Sequence, residues 1–226
     1  MAERLADGLY LVGGSDLSHG MDCLVYLLDL GDLVLVDCGA GPGWPRIRDE
    51  ILGVGLDPDA IHTLLLTHAH VDHIGAASAV VRGSGCRVVA HDLDAGAIET
   101  GDPARTAATW YDLTLPTLRV DHRMTGDEEV LAFRGGSLRL LHIPGHTPGS
   151  LAALVELGGQ RVLFGQDVHG PFDDAFGSDV RAWRRSMEKL LALEADVLCE
   201  GHLGVFRSRA AVRRFIEMQL RAHTSR

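Results

Sequence analysis

The chain is poor in several of the features that would settle its class at once. It has only 4 cysteines, Cys23, Cys38, Cys86 and Cys199, scattered with no C-x-x-C pair, which argues against a disulfide scaffold and for reduced, buried thiols. The first residues, Met1–Gly8, lack the basic region and apolar stretch of a signal peptide. No run approaches the roughly 18–20 apolar residues of a membrane-spanning helix. A cytoplasmic protein is the expectation. Positive charge is scarce too. With 21 Lys and Arg against 31 Asp and Glu the formal net charge is −10, which argues against nucleic acid or an anionic membrane as the main partner. Lysine is almost absent, Arg supplying 20 of the 21 basic residues, a bias read as genome composition.

What remains is ordinary for a globular enzyme. In 226 residues, 46% hydrophobic and 23% charged, there is material for one domain with a full core, with a pocket-lining insertion at about 101–125. Short apolar runs at Gly8–Gly13, Cys23–Leu30 and Leu33–Asp37 read as strands, the last two joined by a tight hairpin at Leu30–Leu33. Trp44–Leu52 has helical spacing, Leu64–Leu66 reads as a buried strand, and Asp72–Val81 as one helix. A strand at Arg87–Ala90 and a helix at Asp92–Glu99 follow. Gly101–Thr125 shows no clear period. Strands are then expected at Glu129–Phe133, Ser137–Ile143, Ser150–Leu157, Arg161–Phe164 and Asp196–Cys199, with helices at Asp179–Leu193 and Ser208–Ala222. Strands and helices alternating in two comparable halves suggest two sheets packed together with helices outside.

The most informative segment is Thr67-His68-Ala69-His70-Val71-Asp72-His73, which puts three imidazoles and a carboxylate into six consecutive residues after an apolar strand. Neutral imidazole and carboxylate are zinc-type ligands. On a helix His68 and His70 would diverge by about 200°, so a shared ion requires an extended or loop segment. Three more candidates sit in turns beside apolar strands: His146 in Pro144-Gly145-His146-Thr147-Pro148-Gly149-Ser150, Asp167 in Gly165-Gln166-Asp167, and His202 in Glu200-Gly201-His202. Loop-borne ligands on a rigid sheet scaffold are what a metal site needs.

These motifs, in type, order and spacing, resemble those of the metallo-β-lactamase-fold hydrolase superfamily, over about Gly8 to His202. The resemblance implies an αββα sandwich of two mixed sheets flanked by helices. It implies that His68, His70 and His146 hold one metal, that Asp72, His73 and His202 hold a second, and that Asp167 bridges them. Asp37, in Val36-Asp37-Cys38-Gly39, matches the early Asp-x-Gly motif, which braces the metal loop. No position departs from the two-metal pattern. Zinc is the expected cofactor, and iron or manganese suits the same ligands.

Two divalent ions roughly 3.5–4 Å apart share a water, lower its pKa from about 15.7 towards neutrality, and polarise a carbonyl. Asp72 would also orient the attacking oxygen and shuttle its proton. The expected activity is hydrolysis of an ester, thioester or lactone. The alternatives are a persulfide dioxygenase-like oxidoreductase with a single iron on His68, His146 and Asp167, and β-lactam hydrolysis, which usually goes with an export signal. Glyoxalase II-like thioesterases carry a helical C-terminal extension for the glutathione moiety, and only 24 residues follow His202. The partner is a small-molecule substrate, and a monomer or homodimer is expected. Candidate pocket residues are His19, Met21 and Asp22 in the first loop, Trp110 and Tyr111 in the aperiodic segment, and His169 beside Asp167.

Overall fold

A computed structural model of the chain describes residues 1–223. Its first sheet has seven strands in chain order: β1 (Glu3–Ala6), β2 (Leu9–Gly13), β3 (Val25–Asp29), β4 (Leu33–Val36), β5 (Ile61–Leu65), β6 (Arg87–His91) and β7 (His122–Met124). β1 to β4 form an antiparallel meander. β4 to β7 are parallel, with helical crossovers. The helices of this half are α1 (Trp44–Gly53), α2 (Val71–Ile74), α3 (Ala77–Ser84), α4 (Asp92–Thr100) and α5 (Ala108–Tyr111).

The second sheet has six strands: β8 (Glu128–Phe133), β9 (Gly136–His142), β10 (Leu151–Leu157), β11 (Gln160–Phe164), β12 (Val197–Cys199) and β13 (Val205–Arg207), in spatial order β13-β12-β11-β10-β9-β8. Only the β11–β12 pair is parallel. α6 (Val180–Ala192) and α7 (Arg209–Ala222) cover its outer face.

Strand periodicity explains the layering. Side chains alternate between the faces of a sheet. Leu27, Leu35, Leu64 and Val88 point outward under Ile47, Ile51 and Val80 of the helices. Their neighbours Tyr26, Leu28, Val34, Val36, Leu65 and Val89 point inward against Leu140, Ala153, Val155 and Phe164 of the other sheet. Beyond that sheet, Leu141, Leu163 and Leu198 pack under Trp183, Met187, Leu190, Phe215 and Ile216. Three apolar layers separated by two sheets make the αββα sandwich.

Three local expectations need correcting. The helix expected over Asp72–Val81 is two helices, α2 and α3, broken at Gly75–Ala76. There the backbone of Gly75 lies against the carbonyl of Ala40 so closely that no Cβ fits. The segment 101–125 is not devoid of elements: it contributes α5 and the edge strand β7. Two short strands, β1 and β13, were not anticipated. Among the described residues no helix is long and apolar enough to cross a membrane.

Candidate metal centre

All seven candidate ligands gather along one edge of the sandwich, each just beyond a strand end. The loop after β5 carries His68 and His70, and α2 presents Asp72 and His73 from its first turn. His146 comes from the β9–β10 turn, Asp167 from the loop after β11 and His202 from the loop after β12. One ligand atom from each of His68, His70, His146 and Asp167 lies within 4.8 Å of the others, and Asp72, His73 and His202 form a second such group.

Asp167 lies between the groups. Its Oδ2 is 3.3 Å from His146 Nε2 and 3.8 Å from His68 Nε2. Its Oδ1 is 3.2 Å from His202 Nε2 and 3.4 Å from His73 Nε2. Asp72 Oδ2 is 3.3 Å from His202 Nε2 and 3.7 Å from His73 Nε2, and the two imidazole nitrogens are 3.3 Å apart. Ligands about 2.0–2.1 Å from a tetrahedral ion stand roughly 3.3 Å from one another. The spacing therefore fits cation coordination. His68 Nε2 is also buried with no hydrogen-bond partner, and Asp167 Oδ1 faces only the imidazoles of His202 and His73, a crowding that a bound cation relieves. No Cβ is tolerated beside them: one on Gly201 would stand 2.6 Å from Asp167 Oδ1 and 2.5 Å from Gln166 Oε1.

The electrostatics follow from burial and crowding. Burial, reinforced by neighbouring imidazoles, holds His68 and His70 well below the ordinary imidazole range, so they are neutral donors. Burial works the same way on His73, but the carboxylates of Asp167, Asp72 and Asp37 around it outweigh burial and hold its proton well above that range. For His202, burial is outweighed by hydrogen bonds to Asp167 and Asp72, which push it up to about 10. Burial opposes ionisation of Asp167, yet His73, His146 and His202 keep it well below the usual carboxylate range.

A buried outer ring orients the ligands. Asp37 accepts from Thr67 N–H at 2.8 Å, from the Thr67 hydroxyl at 2.7 Å and from His73 Nδ1 at 2.7 Å. That leaves His73 Nε2 facing the cluster. Asp37 and Asp167 both adopt left-handed backbone, with φ of 57° and 51°, which Asp tolerates better than most residues. His146 Nδ1 donates to the Pro171 carbonyl at 2.7 Å, fixing its Nε2 toward the site. Gly145 permits that turn, because a Cβ there would run into the backbone of Trp183 on α6.

Three supporting residues carry no motif of their own. Asp94 on α4 accepts from Ala69 N–H, Gly149 N–H and the Thr147 hydroxyl. Glu200, fully buried, accepts from His169 Nδ1 at 2.7 Å and from the backbone N–H groups of His202 and Leu203. Cys23 lies beside His73, its thiol pushed up to about 12 by burial. Only the position of Glu200, two residues before His202, offered a sequence signal.

A cavity of about 190 Å³ opens over the cluster, lined by His70, Asp72, Asp167, His202, His169, Trp110, Tyr111, Ala107, Pro171 and Phe176. Trp110, Tyr111 and His169, pocket candidates in the sequence, are among these lining residues. His19, Met21 and Asp22 are not among the lining residues. Their loop is drawn to the N-terminus of α1, where Asp22 accepts from Ala40 N–H at 2.8 Å and His19 lies over Gly43. The segment 101–125 is tied to α2, Val71 N–H donating to the Thr106 carbonyl at 2.8 Å.

Comparisons with known proteins agree with this geometry. The Metallo-beta-lactamase superfamily model matches residues 20–202. A hydroxyacylglutathione hydrolase of Anaeromyxobacter dehalogenans is 36% identical over 135 residues, covering 59% of this chain and 42% of that protein. The chain thus spans less than half the length of that relative. The probable metallo-hydrolase YqgX of Bacillus subtilis is 32% identical over 183 residues, covering 78% of this chain and 83% of that protein. Among solved structures, a Cronobacter sakazakii metallo-beta-lactamase with a HARLDQ motif superposes with a TM-score of 0.84 at 23% identity, covering 99% of this chain and 92% of that one. This chain has His-Ala-His-Val-Asp-His at residues 68–73 instead.

Proposed function

Because this chain belongs to the metallo-beta-lactamase superfamily, we propose that it is a dinuclear metal-dependent hydrolase that cleaves an ester, thioester or lactone carbonyl. The observation that carries this reading is the Asp167 carboxylate, one oxygen turned to His68 and His146 and the other to His73 and His202. The second group, Asp72, His73 and His202, supports two ions rather than one. Zinc suits the mixed imidazole and carboxylate set.

When bound, two divalent cations acidify a water and withdraw charge from the carbonyl oxygen. The chain's own residues do the rest. Asp72 reaches the cavity floor beside His73 and His202, where its carboxylate orients the attacking water and accepts its proton. Burial and the adjacent Asp72 keep the Tyr111 phenol above its ordinary range, so it stays a hydrogen-bond donor at the cavity wall. The buried Glu200 holds the His169 ring in place among the lining residues. In the balanced step the acyl carbon gains the water oxygen and loses its bond to the leaving oxygen or sulfur, which takes up the proton.

A panel of thioesters, lactones, esters and β-lactams, assayed alongside elemental analysis, tests the proposal. Hydrolysis of a carbonyl substrate that is lost on chelation and restored by zinc is the expected result. Oxygen consumption with one iron per chain, and no hydrolysis, would overturn it.

A further inference from the structure

The cavity is asymmetric. One side is made by the candidate metal ligands and the other by a run of rings. Phe176 stands edge-on to His70 with centroids 4.4 Å apart, and Trp110 stands edge-on to Phe176 at 5.4 Å. The rings lead from a metal ligand to the mouth. Phe176 is buried, whereas Trp110 is 56% exposed, an unusually large apolar surface to leave in water at the mouth of a polar site. It is not on a loose loop. Asp102 caps the turn at Ala104 and Arg105, Thr106 bonds back to Asp102, and Val71 of the metal loop holds the Thr106 carbonyl. The platform is therefore fixed before any ligand arrives.

Charge on this side is also distinctive. Among the described residues no Arg or Lys lines the cavity. His169 is engaged by the buried Glu200 at 2.7 Å, so its charge is answered within the wall. Arg105, the cation nearest to Trp110 in sequence, is not a lining residue; its guanidinium stands beside Gly177 and acts on the buried Asp94. A carboxylate carried by the substrate beyond the reacting carbonyl would meet rings and no guanidinium or ammonium partner, and would lose hydration without compensation.

We propose that the Phe176–Trp110 wall selects substrates whose acyl chain is uncharged and apolar, and rejects those bearing a carboxylate on that chain. The inference rests on the hydrolase reading above and narrows it to neutral esters, thioesters and lactones. The covalent step is the hydrolysis already balanced.

The zinc-loaded protein tests it with two readouts. For turnover, nitrophenyl hexanoate is compared with the ester of the same chain length ending in a carboxylate, and with nitrophenyl acetate. A preference of about tenfold or more in kcat/KM for the neutral hexanoate is expected, the scale on which apolar pockets discriminate. Trp110→Ala should lower kcat/KM for the hexanoate several-fold more than for the acetate, and Trp110→Arg should narrow the gap to the carboxylate ester. For binding, Trp110 is the reporter, since Trp44 and Trp183 are 7% and 1% exposed. A hexyl methyl ketone should shift the emission, its ω-carboxylate analogue should not, and Trp110→Phe should abolish the response.

Equal turnover of the neutral and carboxylate esters, or equal losses on hexanoate and acetate in Trp110→Ala, overturns the inference and leaves the hydrolase reading standing. Selective ketone binding without turnover of any ester leaves the wall's preference standing and overturns the hydrolase reading. Neither selective binding nor turnover overturns both.

Discussion

The Thr147 hydroxyl donates to Asp94 Oδ2 at 2.6 Å across 53 residues of chain. The same carboxylate accepts from Ala69 N–H at 3.1 Å and from Gly149 N–H at 2.8 Å. Ala69 separates His68 from His70, and Thr147 follows His146. One buried side chain therefore ties together the two loops that supply the three histidines of the first ligand group.

Asp94→Ala should strand three buried donors, at about 1–3 kcal/mol for each group left without a partner. The expected result is a lower Tm and weaker metal binding, with Asp94→Asn in between. Thermal melts and chelator competition measure both. An unchanged Tm with unchanged metal affinity would show that the two loops hold their shape without Asp94.

Metal binding should release protons. In the metal-free protein His202 is pushed up to about 10 and His73 also lies above the ordinary range, so both carry protons at neutral pH. A cation must displace them, and affinity should rise with pH until about 10. The sign for stability is opposite. A raised imidazole value stabilises the metal-free fold fully below the unfolded value of about 6.5, and that contribution is lost as pH climbs through about 10. Calorimetric titration with zinc in buffers of different ionisation enthalpy counts the protons. A proton-silent, pH-independent titration would refute this electrostatic picture.

Two glycines should respond in opposite ways. Gly201→Ala would set a methyl 2.6 Å from Asp167 Oδ1, so metal affinity should fall sharply although the residue ligates nothing. Gly96, mid-helix in α4 and exposed, has no atom within 4 Å of an added Cβ. Gly96→Ala should stabilise the fold by about 0.5–1 kcal/mol. Melting curves and metal titrations of both variants check the pair. Full metal affinity in Gly201→Ala would contradict the crowding described around Asp167.

The candidate ligands stood out in the sequence because each lies close to an apolar strand in a short turn of distinctive composition. Asp94 was not, because a polar residue inside Asp92–Thr100 reads as a helix's solvated face. Its burial arises only when loops some 25 and 53 residues away fold against it. Gly75 looked like a small residue within a continuing helix, but the carbonyl of Ala40, on a different loop, dictates the break. The edge strands β1 and β13 hold no fully buried residue and are only 4 and 3 residues long, too short for periodicity to register. His19 and Met21 were expected at the pocket because the loop between the first strands often borders the site in the fold the motifs resemble. The anchor that draws the loop to α1 is Asp22, whose role depends on Ala40 and Gly43.

The most direct test of the two-metal reading is the metal content of the zinc-reconstituted protein beside that of His146→Ala, His202→Ala and Asp167→Ala. The reading predicts two ions per chain in the unaltered protein, a deficit of one in each histidine variant, and loss of hydrolytic activity in all three. Retention of a single ion by the unaltered protein, or full activity in Asp167→Ala, would contradict it.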